Sequence, residues 1–73
     1  MQNVAVDVRP YLEALHELEK QIKMSSASLI LHPNGDGAVR LDTFFSGSIT
    51  VDFDEGYIMD AITRLAEKAK ELA

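Results

Sequence analysis

The chain of 73 residues contains no cysteine and no tryptophan, and only two prolines and four glycines. Without cysteine it can form neither a disulfide framework nor a thiolate nucleophile or ligand, which favours a reducing, cytoplasmic location. Its longest apolar runs are far short of a membrane span, and the first residues lack both the basic flank and the apolar stretch of a signal peptide. We therefore expect a cytoplasmic protein that does not act at a membrane.

The rest of the composition is that of an ordinary small globular protein. Hydrophobic residues make up 47% of the chain and charged residues 26%, which argues against wholesale disorder. We expect residues 1–73 to form a single domain, near the lower size limit at which one core is stable alone. Because a chain this short gains much from self-association, a homodimer is an open alternative.

Basic residues are the scarce charges, with seven against twelve acidic residues and a net charge of −5. The whole excess lies in residues 36–60, where six acids face one base, Arg40. The acids are Asp36, Asp42, Asp52, Asp54, Glu55 and Asp60. A concentrated negative field attracts cationic partners and repels nucleic-acid backbones and anionic membranes. The pattern predicts a basic protein surface as partner and argues against direct contact with nucleic acid.

Two segments have the apolar spacing of helices. Residues 8–24 and 55–72 carry apolar side chains at three- and four-residue intervals, which predicts two amphipathic helices. Asp7 and Asp54 precede these segments and are the predicted N-caps. Pro10 would fall in the first helical turn, where its missing N–H costs little.

Between the helices, three alternating runs predict strands at residues 28–32, 38–44 and 48–53. A further short edge strand at residues 3–6 is an open alternative. The predicted order is α-β-β-β-α, an α+β fold in which a three-stranded antiparallel meander has both helices packed on one face. This arrangement covers the apolar faces of the sheet and of both helices at once.

The alternation also predicts which strand residues face each other, since a one-residue slip would turn every side chain to the other face. We expect Leu31 opposite Val39 in the first hairpin and Leu41 opposite Val51 in the second. The second hairpin then has a three-residue loop that ends in Gly47, with the glycine in a left-handed conformation.

The first hairpin turn resembles the middle of an EF-hand calcium loop but lacks its strongest ligands. Asn34, Asp36 and Gly37 match the third, fifth and sixth positions, whereas His32 and Thr43 replace the first Asp and the bidentate Glu. The preceding run alternates like a strand, where an EF-hand has a helix. No second His or Cys stands at ligand spacing from His32. We expect no metal site and no cofactor.

Sequence signatures of catalysis are missing from the chain. It has no G-x-S-x-G elbow, no P-loop and no G-x-G-x-x-G. Acid pairs such as Asp52 and Asp54 would need a cleft that separates their pKa values, and 73 residues leave little room for one. We therefore predict that the protein is not an enzyme and has no catalytic residues.

The element order over about 70 residues resembles the double-stranded RNA-binding domain in topology, although no motif is shared. Such domains place lysines at the start of the last helix to hold phosphates across the RNA major groove. The corresponding position here is Asp54-Glu55-Gly56-Tyr57. The resemblance therefore implies a fold and not RNA binding, because acids at this position would repel the phosphates.

In size, acidity, absence of cysteine and mixture of elements, the chain is similar to the inhibitors that phages make against host nucleases, including anti-CRISPR proteins. That resemblance implies a protein that occupies the basic nucleic-acid groove of a nuclease or another nucleic-acid-binding protein. The competing explanation is that the acidity serves solubility alone.

Two hypotheses follow for function. The first is a non-enzymatic binding module in which acids steer a basic partner and aromatic residues anchor it. The predicted partner-binding residues are Asp42, Phe44, Phe45, Asp52, Asp54, Glu55 and Asp60. The alternative is a homo-oligomeric structural or accessory subunit that pairs through spare apolar surface, such as Ile30, Tyr57 or Met59.

Overall fold

The computed structural model describes residues 7–72, with side chains to residue 71. Its elements follow the predicted order. They are α1 (Arg9–Gln21), β1 (Ser25–Leu31), β2 (Gly37–Thr43), β3 (Gly47–Phe53) and α2 (Ile58–Leu72). The prediction of an α+β fold in the order α-β-β-β-α is confirmed. The additional strand considered at residues 3–6 lies outside the described residues.

The three strands form an antiparallel sheet in the order β1-β2-β3, and both helices cover one face of it. α1 packs on β1, and α2 packs on β2 and β3. Val39, Leu41 and Leu65 are fully enclosed between the sheet and the helices. The remaining core residues are Leu15, Leu18, Val51, Phe53, Ile58, Ala61, Ile62 and Ala69. We call the opposite, uncovered side of the sheet the open face.

Both helices begin later than the sequence predicts, and neither predicted N-cap residue caps its helix. The cap position of α1 is Val8, whose side chain makes no capping hydrogen bond. Asp7 instead accepts a hydrogen bond from the Arg9 N–H at 3.1 Å and pairs with the Arg9 guanidinium at 2.9 Å. Pro10 in the first turn has no N–H to donate, so the Asp7 carboxylate accepts from the N–H of the residue before it, Arg9.

α2 starts at Ile58 because the four residues before it form a turn. The Tyr57 N–H donates to the Asp54 carbonyl at 3.0 Å, and Gly56 has a φ of 87°, which no α-helix contains. The first helical bond runs from the Ala61 N–H to the Tyr57 carbonyl at 3.1 Å. The predicted cap at Asp54 is therefore wrong, and Asp54 and Glu55 lie on a loop.

Both predicted strand registers are wrong by two residues. Leu29, not Leu31, faces Val39, and Val39, not Leu41, faces Val51. A two-residue shift keeps every side chain on its predicted face, so the apolar face has the predicted composition.

The hairpin between β2 and β3 fixes the second register. Its loop is residues 44–46, and Gly47 follows with a φ of 78° while it pairs with Thr43. The Thr43 hydroxyl accepts from the Ser46 N–H at 2.9 Å and donates to the Gly47 carbonyl at 2.6 Å. The three-residue loop and its left-handed glycine are as predicted, but the loop lies one residue earlier than expected.

Candidate protein-binding surface

The fold gathers most of the acidic stretch at one end of the sheet. The loop at residues 32–36 leads into β2, whose first residue pairs with the last residue of β3, Gly37 with Phe53. Residues on either side of this pair are therefore neighbours. We call the resulting surface the acidic end. It consists of Asp36, Asp52, Asp54, Glu55 and Asp60.

The two segments that carry the acidic end pack directly on each other. A Cβ built on Gly35 would lie 2.7 Å from Cγ of Glu55, so the aliphatic stem of Glu55 occupies the space that a larger residue would take. The loop at residues 32–36 is closed by a hydrogen bond from the His32 N–H to the Asp36 carbonyl at 2.8 Å. These contacts hold the carboxylates of Asp36 and Glu55 on the same side of the molecule.

A shallow groove of about 470 Å³ runs along the open face at the acidic end. Its lining includes Ile30, His32, Asp36, Ala38, Asp52 and Asp54. Ala38 is buried and forms part of the floor, whereas Ile30 is 45% exposed. The groove thus offers an apolar surface with carboxylates around it, which suits a side chain that has an apolar stem and a cationic head.

A smaller depression of about 220 Å³ lies where β3 meets the start of α2. Asp52 and Asp54 line it from the strand end, and Tyr57 and Asp60 line it from the side of the helix. Arg64 is also in the lining, with its Nε 3.1 Å from the Asp60 carboxylate, an ion pair that the i,i+4 spacing of the two residues favours.

Most carboxylates of the acidic end form no ion pair in the described part of the chain, since Arg64 pairs with Asp60. Within residues 7–72, no lysine or arginine lies within ion-pair distance of Asp36, Asp52, Asp54 or Glu55. Asp36 receives a hydrogen bond from the Asn34 amide at 3.2 Å, which leaves its charge in place. The acidic end therefore presents four uncompensated carboxylates to the solvent.

Asp42 lies toward the opposite end of the sheet, and its charge is matched. The Arg40 Nε donates to its carboxylate at 2.9 Å, and the Ser48 hydroxyl donates to the same oxygen. The Ser48 hydroxyl, and after it Arg40, hold the pKa of Asp42 below its ordinary value. Asp42 thus belongs to a hydrogen-bonded group on the open face and contributes little net field.

Phe44 and Phe45 form an exposed pair in the loop between β2 and β3, and we call this pair the aromatic tip. They are 70% and 82% exposed, and their rings meet edge to face with centroids 4.9 Å apart. The two hydrogen bonds of Thr43 fix the loop backbone. The rings consequently stay in the solvent, away from the core.

The structure divides the seven predicted site residues into two groups. Asp52, Asp54, Glu55 and Asp60 are together at the acidic end, whereas Asp42 and the aromatic tip lie at the other end of the sheet. Asp42 faces Ser48 and Asp52 faces Ala38, so the two rows are four residues apart, about 13 Å along the strands. The seven residues form two surfaces instead of one.

Asp36 of the acidic end and Tyr57 beside it are missing from the predicted partner-binding residues, although Tyr57 was predicted as spare apolar surface for self-association. Asp36 lies beside the end of β3 because an antiparallel hairpin must bring the start of one strand next to the end of the other. That signal was available once the strands had been assigned. Tyr57 is 59% exposed because it precedes α2, and its place depends on the Gly56 turn, which the predicted start of α2 at residue 55 obscured.

Two further carboxylates, Glu19 and Asp7, have lowered pKa values because they accept hydrogen bonds within the fold. Hydrogen bonds from the Ala27 N–H at 2.7 Å and from His16 at 3.2 Å lower the pKa of Glu19. The Arg9 side chain and backbone lower the pKa of Asp7. Within residues 7–72, no three His, Asp or Glu side chains are grouped so that they could hold a metal ion. Neither α1 nor α2 is long and apolar enough to cross a membrane.

Scans of protein-family models, curated proteins and solved structures all gave no match to this chain. Function is therefore inferred from the arrangement of its own residues.

Proposed function

We propose that this chain is a cytoplasmic, non-enzymatic binding module that presents the acidic end to a basic protein surface. The best target is the nucleic-acid groove of a nuclease or another nucleic-acid-binding protein, where bound acids would inhibit by exclusion, as the resemblance to phage-made inhibitors such as anti-CRISPR proteins implies. The observation that carries the proposal is the group of four uncompensated carboxylates at Asp36, Asp52, Asp54 and Glu55.

The geometry supports separate roles for charge and for apolar contact in binding. Exposed carboxylates raise the rate of encounter with a cationic surface, and affinity comes from residues that lose water on binding. At the acidic end these are Tyr57, which is 59% exposed, and Ile30, which is 45% exposed. Both flank the carboxylates, so an arginine or lysine of the partner could place its stem on an apolar side chain and its head on an acid.

The test is capture of proteins on the immobilised chain from a lysate of the organism that encodes it. The triple variant Asp52→Asn, Asp54→Asn, Glu55→Gln removes three charges of the acidic end. The matched control Glu13→Gln, Glu67→Gln, Glu71→Gln removes three exposed charges of the helices. We expect a basic partner that the wild type and the control retain, and that the acidic-end variant binds about tenfold or more weakly.

Salt and competing nucleic acid make the test specific. Screening lengths fall from about 10 Å at 0.1 M salt to about 3 Å at 1 M, so binding should weaken steeply over that range. Single-stranded or duplex oligonucleotides should displace the partner if it uses its nucleic-acid groove. Equal binding by both triple variants, or a partner that oligonucleotides do not displace, would contradict the proposal.

A second candidate function is a homo-oligomeric structural or accessory subunit. The observation that favours it is the aromatic tip, because two exposed phenylalanines are costly for solubility unless another surface covers them. A self-association that persists at high salt would favour this candidate, whereas the acidic-end interaction should be lost there.

A further inference from the structure

The two outer edges of the sheet differ, and the difference concerns backbone hydrogen bonds. β1 and β3 are both edge strands in the order β1-β2-β3. On the outer side of β1, the Ala27 N–H donates to the Glu19 carboxylate of α1 at 2.7 Å. In the described part of the chain no side chain takes a comparable place on the outer side of β3, and no strand lies beside it.

Antiparallel pairing alternates, so these contacts determine which residues direct their backbone groups outward. The Ala27 N–H points away from β2. At the two ends of β1, the Phe44 N–H donates to the Met24 carbonyl and the His32 N–H donates to the Asp36 carbonyl. Even-numbered residues of β1 therefore hydrogen-bond to β2. The same alternation carried across β2 assigns odd-numbered residues of β3 to β2. Ser48, Thr50 and Asp52 therefore point their N–H and C=O groups at the open edge.

We propose that two copies of this chain join through β3, antiparallel, into one six-stranded sheet. This inference does not rest on the acidic-end function, because it is argued from the outer edge of β3 and from the exposed aromatic tip. The occupant is a second copy because the edge is complementary to itself in one register.

That register is set by the three outward residues. Only a pairing of Thr50 with Thr50 of the partner subunit, on the two-fold axis, uses all of them, and it places Ser48 opposite the partner's Asp52. Shifting the pairing by two residues toward α2 brings Thr50 opposite the partner's Asp52 and leaves Ser48 unused. A shift by four sets the two Asp52 side chains against each other, which is unfavourable. The central register opposes no like charges.

The same register also brings the aromatic tip into the interface between the two copies. Antiparallel pairing continues Gly47 opposite the partner's Phe53, so the loop at residues 44–46 comes beside the segment that precedes α2 in the other copy. Phe44 and Phe45 are 70% and 82% exposed and together can bury about 500 Å² over two copies, at 150–250 Å² for a fully buried ring. That is about half of the roughly 1,000 Å² expected of a specific interface, and the paired strands add to it.

Charge also favours this arrangement over an end-to-end dimer. The two-fold axis lies perpendicular to the sheet, so the acidic ends of the two copies fall at opposite ends of the central strands, with the two Asp52 rows four residues, about 13 Å, apart along the strands. Each acidic end approaches the partner's aromatic tip, where Arg40 and Ser48 already hold Asp42. Repulsion between the two groups of carboxylates is thereby kept small.

The test is the single-cysteine variant Thr50→Cys, in a chain that has no other thiol. Residues that face each other in a hydrogen-bonded antiparallel pair have Cα atoms about 5.5 Å apart, within the range of a disulfide. We expect a covalent dimer under mild oxidation, measured by non-reducing electrophoresis and mass spectrometry. Ser28→Cys is the matched control, because Ser28 lies in the same row across Arg40 on β1 and should remain uncrosslinked.

Charge exchange tests the register without a covalent bond. Thr50→Lys and Thr50→Glu should each be monomeric by sedimentation, because like charges meet on the axis, and an equimolar mixture should form a heterodimer. A double variant Phe44→Ser, Phe45→Ser that folds should dissociate at least about tenfold more readily than the wild type. A monomeric wild type together with a Thr50→Cys variant that does not crosslink would overturn the proposal and leave the edge to a strand of another protein or to residues 1–6.

Discussion

Glu19 lies at the junction of α1 and β1, where one carboxylate serves both elements. Its spacing from Lys23 predicts an ion pair along the helix, yet it accepts the Ala27 N–H at 2.7 Å instead. A backbone N–H at a strand edge is a fixed donor that needs an acceptor, whereas a surface pair between two long side chains gains little. The sequence alone does not show that Glu19 bonds the Ala27 N–H and not Lys23, because that choice depends on where β1 begins.

This contact should make stability depend on pH. Because the pKa of Glu19 is lowered in the folded protein, its contribution is present above the unfolded value of about 4.3 and is lost as pH falls through the folded value. We expect Glu19→Gln to be less stable than wild type near pH 7, with the difference shrinking at about pH 3. Urea unfolding at both pH values measures it, with Glu13→Gln as the control. A difference that does not change with pH would show that the charge is not involved.

Core side chains at the centre of the molecule should be the most sensitive to truncation. Leu65 is fully enclosed between α2 and the sheet, so Leu65→Ala should cost about 2–5 kcal/mol. A chain this small holds about 4–8 kcal/mol in total, so the variant should melt far below wild type or fail to fold. Leu12→Ala on α1, where the side chain is 48% exposed, should cost less than about 1 kcal/mol. Thermal unfolding followed by circular dichroism compares them, and equal melting temperatures would contradict the assignment of the core.

At the level of elements, the faces were predictable and the exact alignments were not. Periodicity identifies which side of each strand is apolar, and that survives a two-residue shift. The register itself is set by the loops, where Thr43 closes residues 44–46 through its hydroxyl. Similarly, the start of α2 is set by the turn that contains Gly56. Neither the side-chain bonds of Thr43 nor the backbone turn at Gly56 leaves a periodic pattern in the sequence.

Two glycines of the hairpins should respond differently to the same substitution. Gly47 has a φ of 78° and open space around a built Cβ, so Gly47→Ala should cost about 1–2 kcal/mol from backbone strain alone. A Cβ on Gly37 would lie 1.9 Å from the Ile30 carbonyl oxygen of the neighbouring strand. Gly37→Ala must push β1 and β2 apart, so we expect a much larger loss, close to the total stability. Urea unfolding of both variants measures the order, and a milder effect at Gly37 would contradict this strand pairing.

On the scale of the whole molecule, the fold divides one acidic segment between two ends of the sheet. One is the acidic end, and the other carries Asp42 and the aromatic tip. The sequence places the excess charge in residues 36–60 but cannot show that the Asp42 charge is matched by Arg40 and Ser48. It places Asp36 near Asp52 only after the strands of the hairpin have been assigned. Both facts depend on contacts between strands, and so the acidic end and the aromatic tip become separate surfaces only after folding.

The hydrogen bond between Glu19 and Ala27 also limits how far such a molecule can polymerise. A sheet that can pair with another chain at both of its edges can add copies indefinitely, and fibres form in this way. A carboxylate placed against the β1 edge makes that side a poor template, because an incoming strand would have to displace an ionised group from its donor. In the described part of the chain the backbone N–H groups of Leu29 and Leu31 also point outward from β1 without such a carboxylate, so β1 is the weaker of two edges and is not closed. Pairing through β3 is therefore favoured, and growth beyond a pair is disfavoured at β1.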